Sequence, residues 1–99
     1  MSDMLPIVEI IADAQTHAER AEWLFSCPTK VIDRDHMTIR RILQRAGLIE
    51  GVGYLDAVLA RGCARRLPDG RYPQTIEMAV EVAAIDLRAA ARAGAEGVE

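Results

Sequence analysis

The stretch TIRRILQRAGLIEGVGYLDAVLARG, residues 38–62, decides the fold. Ile39, Ile42, Leu43 and Ala46 recur at helical spacing and predict one buried helix face. Gly47 suits the left-handed position just past a helix end, and Leu48 supplies the apolar contact that follows such an end. A further helix is expected from near Glu50 or Gly51, with Val52, Leu55, Leu59 and Cys63 along one side. Gly62 either ends that helix or allows close packing. Two amphipathic helices joined at a glycine have the outline of a DNA-binding helix–turn–helix.

Residue chemistry argues against that use. In such a motif the first residues of the second helix face base edges. Here they are Glu50, Gly51, Val52, Gly53, Tyr54, Leu55 and Asp56. None is Arg, Lys, Asn or Gln, the side chains that read bases in the major groove. Two carboxylates would bring the wrong sign to a phosphate-lined groove. The expected structure is a helical hairpin.

Outward from the hairpin, a first helix is expected from about Leu5 to Phe25, capped by Ser2 or Asp3. Ile7, Ile11, Ala14, Ala18, Ala21 and Phe25 form its apolar stripe. Cys27 and Pro28 end it. The segment PTKVIDRD (28–35) reads as a helical turn or an extended connector, with Asp33 or Asp35 capping the next helix. After the turn LPDGRYP (67–73), a last helix is expected from about Pro73 or Thr75 to Ala93, with Gly94 as its stop. It has two apolar stripes: Ile76, Val80, Ala83, Leu87 and Ala90, and opposite them Met78, Val82, Ile85 and Ala89. Such a helix is expected to be central, with neighbours on both sides. The alternative is that one stripe meets a partner chain. The fold class is therefore all-α, a single domain of about four antiparallel helices over residues 1–99.

Composition agrees with this and excludes several function classes. Of 99 residues, 51% are hydrophobic and 4% aromatic, enough for one core without metal or disulfide staples. Cys27 and Cys63 lie in no metal-like pair and are expected to be reduced, buried thiols of a cytoplasmic protein. The N-terminal stretch has no basic segment and is interrupted by Glu9 and Asp13, so it reads as neither signal peptide nor membrane span. The net charge of −3 is unevenly spread. Residues 29–72 hold nine basic groups against five acidic ones, while the flanks hold three against ten.

No catalytic or cofactor-binding arrangement is evident. Asp13 and His17, and Asp35 and His36, are carboxylate–imidazole pairs, but a hydrolytic metal site needs about three converging ligands. Gly51-Val52-Gly53 lacks the strand and lysine of a phosphate loop. Cys63 has no nearby histidine in the sequence. The expectation is a non-enzymatic protein without cofactor or metal. Arg41, Arg45, Arg61 and Arg65 lie opposite the apolar stripes of the inner helices and can share a phosphate-contacting surface. Opposite the stripe of the first helix lie Glu9, Asp13, Thr16, Arg20 and Trp23. An exposed tryptophan among charges is a typical binding anchor. The alternative is that Val31 and Ile32 fold back over it.

In size, helical content, acidic balance and absence of catalytic residues, the chain resembles small phage-encoded proteins, including helical members of the anti-CRISPR class. That resemblance implies a non-enzymatic inhibitor acting in the bacterial cytoplasm on a nucleic-acid-binding complex such as a CRISPR surveillance complex. The partner would be a protein or ribonucleoprotein. Carboxylates of Glu9, Asp13, Glu19, Glu22, Asp33 and Asp35 would stand in for DNA phosphates.

Overall fold

Thr16 divides what the sequence suggested was one helix. Its side-chain oxygen accepts from the Glu19 backbone N–H at 3.1 Å, and the Glu19 carboxylate accepts from the Thr16 N–H at 3.1 Å. This reciprocal cap satisfies amides that a helix start leaves without partners. The carbonyls at the end of the preceding helix are covered in turn. Arg20 donates to the Ala14 carbonyl at 2.9 Å, and Gln15 to the Asp13 carbonyl at 3.1 Å. The computed structural model, which describes residues 6–97, therefore has α1 (Pro6–Asp13) and α2 (His17–Ser26) where a single helix was expected. The caps expected at Ser2 or Asp3 lie outside the described residues.

Three longer helices follow: α3 (Thr29–Ala46), α4 (Ile49–Cys63) and α5 (Gln74–Gly97). The described residues contain no strand, and the all-α expectation holds with five helices. Within the segment 28–35, Pro28 is the extended N-cap and residues 29–34 are helical, opening α3. Asp35, at φ −113° and ψ 18°, is the non-helical residue of a kink. Asp33 and Asp35 thus belong to a helix, not to a connector. Gly47, at φ +80°, ends α3 as expected, with the Leu48 N–H donating to the Leu43 carbonyl at 3.0 Å. Leu48 is buried beneath this turn.

The core joins all five helices: Val8 and Ile11 from α1, Ala21, Trp23 and Leu24 from α2, Ile32, Ile39 and Leu43 from α3, Leu55 and Val58 from α4, Val80 and Leu87 from α5. α4 lies between α3 and α5, which do not touch each other among the described residues, while α2 packs on α4 and α5, and α1 on α2 and α3. The molecule is flat, 48 × 36 × 18 Å.

Two expected faces are corrected. On α4 the inward residues are Gly51, Leu55 and Val58, with Val52 and Leu59 half-buried and Cys63 exposed. Gly51 causes this rotation. Its bare backbone faces Leu43, Leu24 and Leu48, and a methyl there would lie 3.1–3.3 Å from their terminal carbons. On α5, Met78, Val82 and Ile85 are 50–59% exposed. The helices that pack on α5 lie against its Val80–Leu87 side, and among the described residues Met78, Val82 and Ile85 on the opposite side stay at least half exposed. The helix is not central, and it continues past Gly94 to Gly97.

Candidate functional site

The carboxylates read from the sequence are spread over three helices. Glu9 and Asp13 are exposed on α1, and Glu22 is exposed on α2. Glu19 is exposed but already engaged. Its Oε1 accepts from the backbone N–H groups of Gln15, at 2.8 Å, and Thr16. The Gln15 and Thr16 amides hold this carboxyl below its ordinary value. Asp33 is exposed on α3. Asp35, at the kink, is half-buried, with one carboxylate oxygen enclosed and without a hydrogen-bond partner.

Trp23 is buried, which corrects its reading as an exposed anchor. Its Nε1–H donates to the Ile7 carbonyl oxygen at 2.8 Å. The break at Thr16 re-aims α2, so this ring packs on α1. Val31 and Ile32, on α3, join the same core as Trp23.

The carboxylate–imidazole pairs are likewise separated from any shared chemistry. Asp13 and His17 belong to different helices. Arg20 lies 2.8 Å from His17 Nδ1; a guanidinium only donates, so Nδ1 is the acceptor and the proton of the neutral ring sits on Nε2. His36 Nδ1 is buried without a partner. Among the described residues, no three His, Cys, Asp or Glu side chains gather as a metal ion would require. Cys27 is half-buried, and its thiol is pushed up to about 11, first by burial and then by the Asp35 carboxylate. A thiol held protonated in this way is a poor nucleophile. No described helix is long and apolar enough to cross a membrane.

The arginine-bearing helices do pair. Asp33 lies level with Gly62, Arg40 forms an ion pair with Asp56, and Leu43 packs on Gly51. These three matches run antiparallel along the full length of α3 and α4. The unit is a helical hairpin, and its helices do not splay as in a DNA-reading motif. Arg41 and Arg45 are exposed on α3. Arg61 is half-buried near the end of α4, and Arg65 follows that end. The antiparallel pairing places Arg61 level with Arg34, so it does not sit beside Arg45.

A basic row on α3 is the more continuous surface, and most of it escaped sequence reasoning. Lys30, Arg34, Met37, Arg41, Gln44 and Arg45 are all exposed. Lys30 and Arg34 precede the kink at Asp35, and after it Met37, Arg41, Gln44 and Arg45 follow at helical spacing on the side opposite Ile39 and Leu43. From Met37 to Arg45, beyond the kink, the row spans about 12 Å at the helical rise. Among the described residues, none of its four cations makes an ion pair. Asp33 borders the row at one edge. The spacing beyond the kink was available in the sequence, but starting the helix at Asp33 or Asp35 set Lys30 and Arg34 apart from Arg41 and Arg45.

An open apolar groove of about 500 Å³ runs between α2 and α5, floored by Ala18, Ala21, Phe25 and Ala91. Glu22 and Arg88 stand at its rim. The Arg88 guanidinium lies 4.7 Å from the Phe25 ring centre, and Phe25 meets Tyr54 edge to face at 5.1 Å. No protein-family model matches this chain, and no curated protein or solved structure shows significant similarity to it.

Proposed function

We propose that this protein is a non-catalytic binding module that holds the phosphate backbone of a nucleic acid along the outer face of α3. One observation supports this reading: Lys30, Arg34, Arg41 and Arg45 are all exposed on α3, and among the described residues none of them makes an ion pair. Regularly spaced cations of this kind neutralise phosphates and release counterions. The absence of Asn, Gln, Arg or Lys from the start of α4 fits backbone contact without base reading.

A second reading is inhibition of a bacterial nucleic-acid-handling complex, such as a CRISPR surveillance complex, by carboxylates that replace phosphates. Its support is the exposure of Glu9, Asp13 and Glu22 without ion-pair partners among the described residues. Glu19 and Asp35 serve it poorly, since one is engaged in a cap and the other is half-buried.

Fluorescence anisotropy with labelled DNA and RNA duplexes, in low and high salt, separates the two. Salt-sensitive binding that is lost on replacing Lys30, Arg34, Arg41 and Arg45 with alanine supports the basic face. No binding at low salt overturns it. Capture of a nucleic-acid-binding complex that is abolished by reversing Glu9, Asp13 and Glu22 to lysine supports the second reading.

A further inference from the structure

We propose that α5 pairs with α5 of a second copy of this chain, antiparallel, along Met78, Val82, Ile85 and Ala89. These residues recur at spacings of four, three and four, the repeat of a two-helix seam. They lie opposite the side that α5 buries against α2 and α4. Met78, Val82 and Ile85 are at least half exposed, and Ala89 is exposed. Exposed apolar side chains elsewhere, such as Ile10 and Ile49, lie on other helices, so this stripe is the concentrated one. A contiguous apolar row framed by charge marks an interaction surface.

Charge and size identify the occupant and its direction. The stripe is flanked on one side by Glu81 and by Arg88, which must swing from its place over Phe25 to reach a second copy, and on the other by Ala79, Asp86 and Ala93. In a parallel pair, Glu81 of each copy would face Asp86 of the other, placing like charges together twice. In an antiparallel pair, Glu81 of each copy faces Arg88 of the other, and Asp86 faces Ala79. The two-fold axis then makes the favourable contact twice. Volumes match in the same direction. Met78 meets Ala89 of the second copy, and Val82 meets Ile85. A parallel seam would set Ala89 against Ala89 and leave a void beside crowded methionines.

Sedimentation equilibrium on the full chain, from micromolar to millimolar concentration, tests the pairing. The expected result is a monomer–dimer equilibrium. Ile85→Glu should remain monomeric with unchanged helicity, since that side chain is exposed in the single chain. Glu81→Arg should weaken the dimer at least tenfold, and Glu81→Arg with Arg88→Glu should recover most of the loss. A chain that stays monomeric throughout, or an Ile85→Glu variant that dimerises like the parent, overturns the proposal. Direction is read by oxidative cross-linking in a Cys27→Ala, Cys63→Ser background that sediments like the parent. Val82→Cys mixed with Ile85→Cys should cross-link, whereas Val82→Cys alone should not. The reverse pattern overturns the antiparallel arrangement.

Discussion

The indole nitrogen of Trp23 and the carbonyl oxygen of Ile7 are 2.8 Å apart, a hydrogen bond that ties α2 to the first turn of α1. Sixteen residues separate the partners, and the bend at Thr16 brings them together. Burying an indole requires a partner for its N–H, and the backbone supplies one. The only tryptophan of the chain is thus a structural joint between the two short N-terminal helices.

Trp23→Ala should destabilise the protein by about 3–5 kcal/mol, the usual cost of emptying a buried aromatic site. Trp23→Phe keeps most of the packing and loses the donor, for a loss of about 1–2 kcal/mol. Denaturant unfolding measures both. In the parent, emission should start blue-shifted and move red on unfolding. Red emission from the folded protein, or a Trp23→Ala midpoint equal to the parent's, would contradict the joint.

The cap at Thr16 gives a second expectation, with a pH dependence. Thr16→Ala removes the oxygen that accepts from Glu19 N–H and should cost about 1 kcal/mol. Glu19 titrates below its ordinary 4.5 because the Gln15 and Thr16 amides donate to its ionised form. The folded value being the lower one, its stabilising contribution is complete above the ordinary value. It is lost as pH falls through the depressed value. Glu19→Gln, which keeps an acceptor but cannot ionise, should therefore be less sensitive to acid than the parent in thermal melts below pH 4.5. Equal acid sensitivity in the two proteins would remove Glu19 from that role.

This cap also shows what was legible in the sequence. Thr16 and Glu19 carry the pattern of a reciprocal cap, yet the apolar run Ile7, Ile11, Ala14, Ala18, Ala21 continues unbroken through it. Periodicity alone therefore joined α1 to α2. The end of α3 at Gly47 was readable because only a left-handed residue suits it, and Leu48 follows in register. The exposure of Met78, Val82 and Ile85 was not readable, since hydrophobicity does not say how many neighbours a helix will have. Starting the helix at Asp33 or Asp35 agrees with the kink at Asp35, and it set Lys30 and Arg34 apart from Arg41 and Arg45.

Two glycines two residues apart in α4 should respond to alanine with opposite sign. At Gly51 a methyl would lie 3.1 Å from a Leu43 terminal carbon and 3.3 Å from those of Leu24 and Leu48. Gly51→Ala should overpack this junction and cost about 1–3 kcal/mol. Gly53 is exposed within α4, with nothing within 4 Å of the added carbon. Gly53→Ala should stabilise by about 0.5–1 kcal/mol, through helix propensity and a less flexible unfolded chain. Thermal melts decide, and equal shifts of the same sign would show that α4 does not approach Leu43 through Gly51.

The two thiols should differ in reactivity. Cys63 is exposed at the end of α4, whereas Cys27 is half-buried, with its thiol raised to about 11 by burial and by Asp35. A disulfide reagent at mildly alkaline pH should modify Cys63 quickly and Cys27 slowly, and denaturant should abolish the difference. Asp35→Asn removes the second cause of the elevation and should accelerate Cys27 modestly. No change would leave burial as the whole cause.

The basic row of α3 carries the most quantitative expectation, because counterion release counts contacts. If Lys30, Arg34, Arg41 and Arg45 each neutralise one phosphate of duplex DNA, the logarithm of the binding constant should fall with that of salt concentration at a slope of about −3.6. Each alanine replacement should weaken binding and make the slope shallower by about 0.9. Met37→Ala, on the same exposed face, should leave the slope unchanged, since it removes no charge. Asp33 borders the row and opposes a polyanion, so Asp33→Asn should strengthen binding at low salt and lose that advantage as salt screens it. Arg40 separates charge in general from charge on this face. It lies off the row and is paired with Asp56 across the hairpin, so Arg40→Gln should change stability more than the salt slope. A slope insensitive to the row but altered by Arg40→Gln would move the phosphate contacts away from the outer face of α3 and toward its seam with α4.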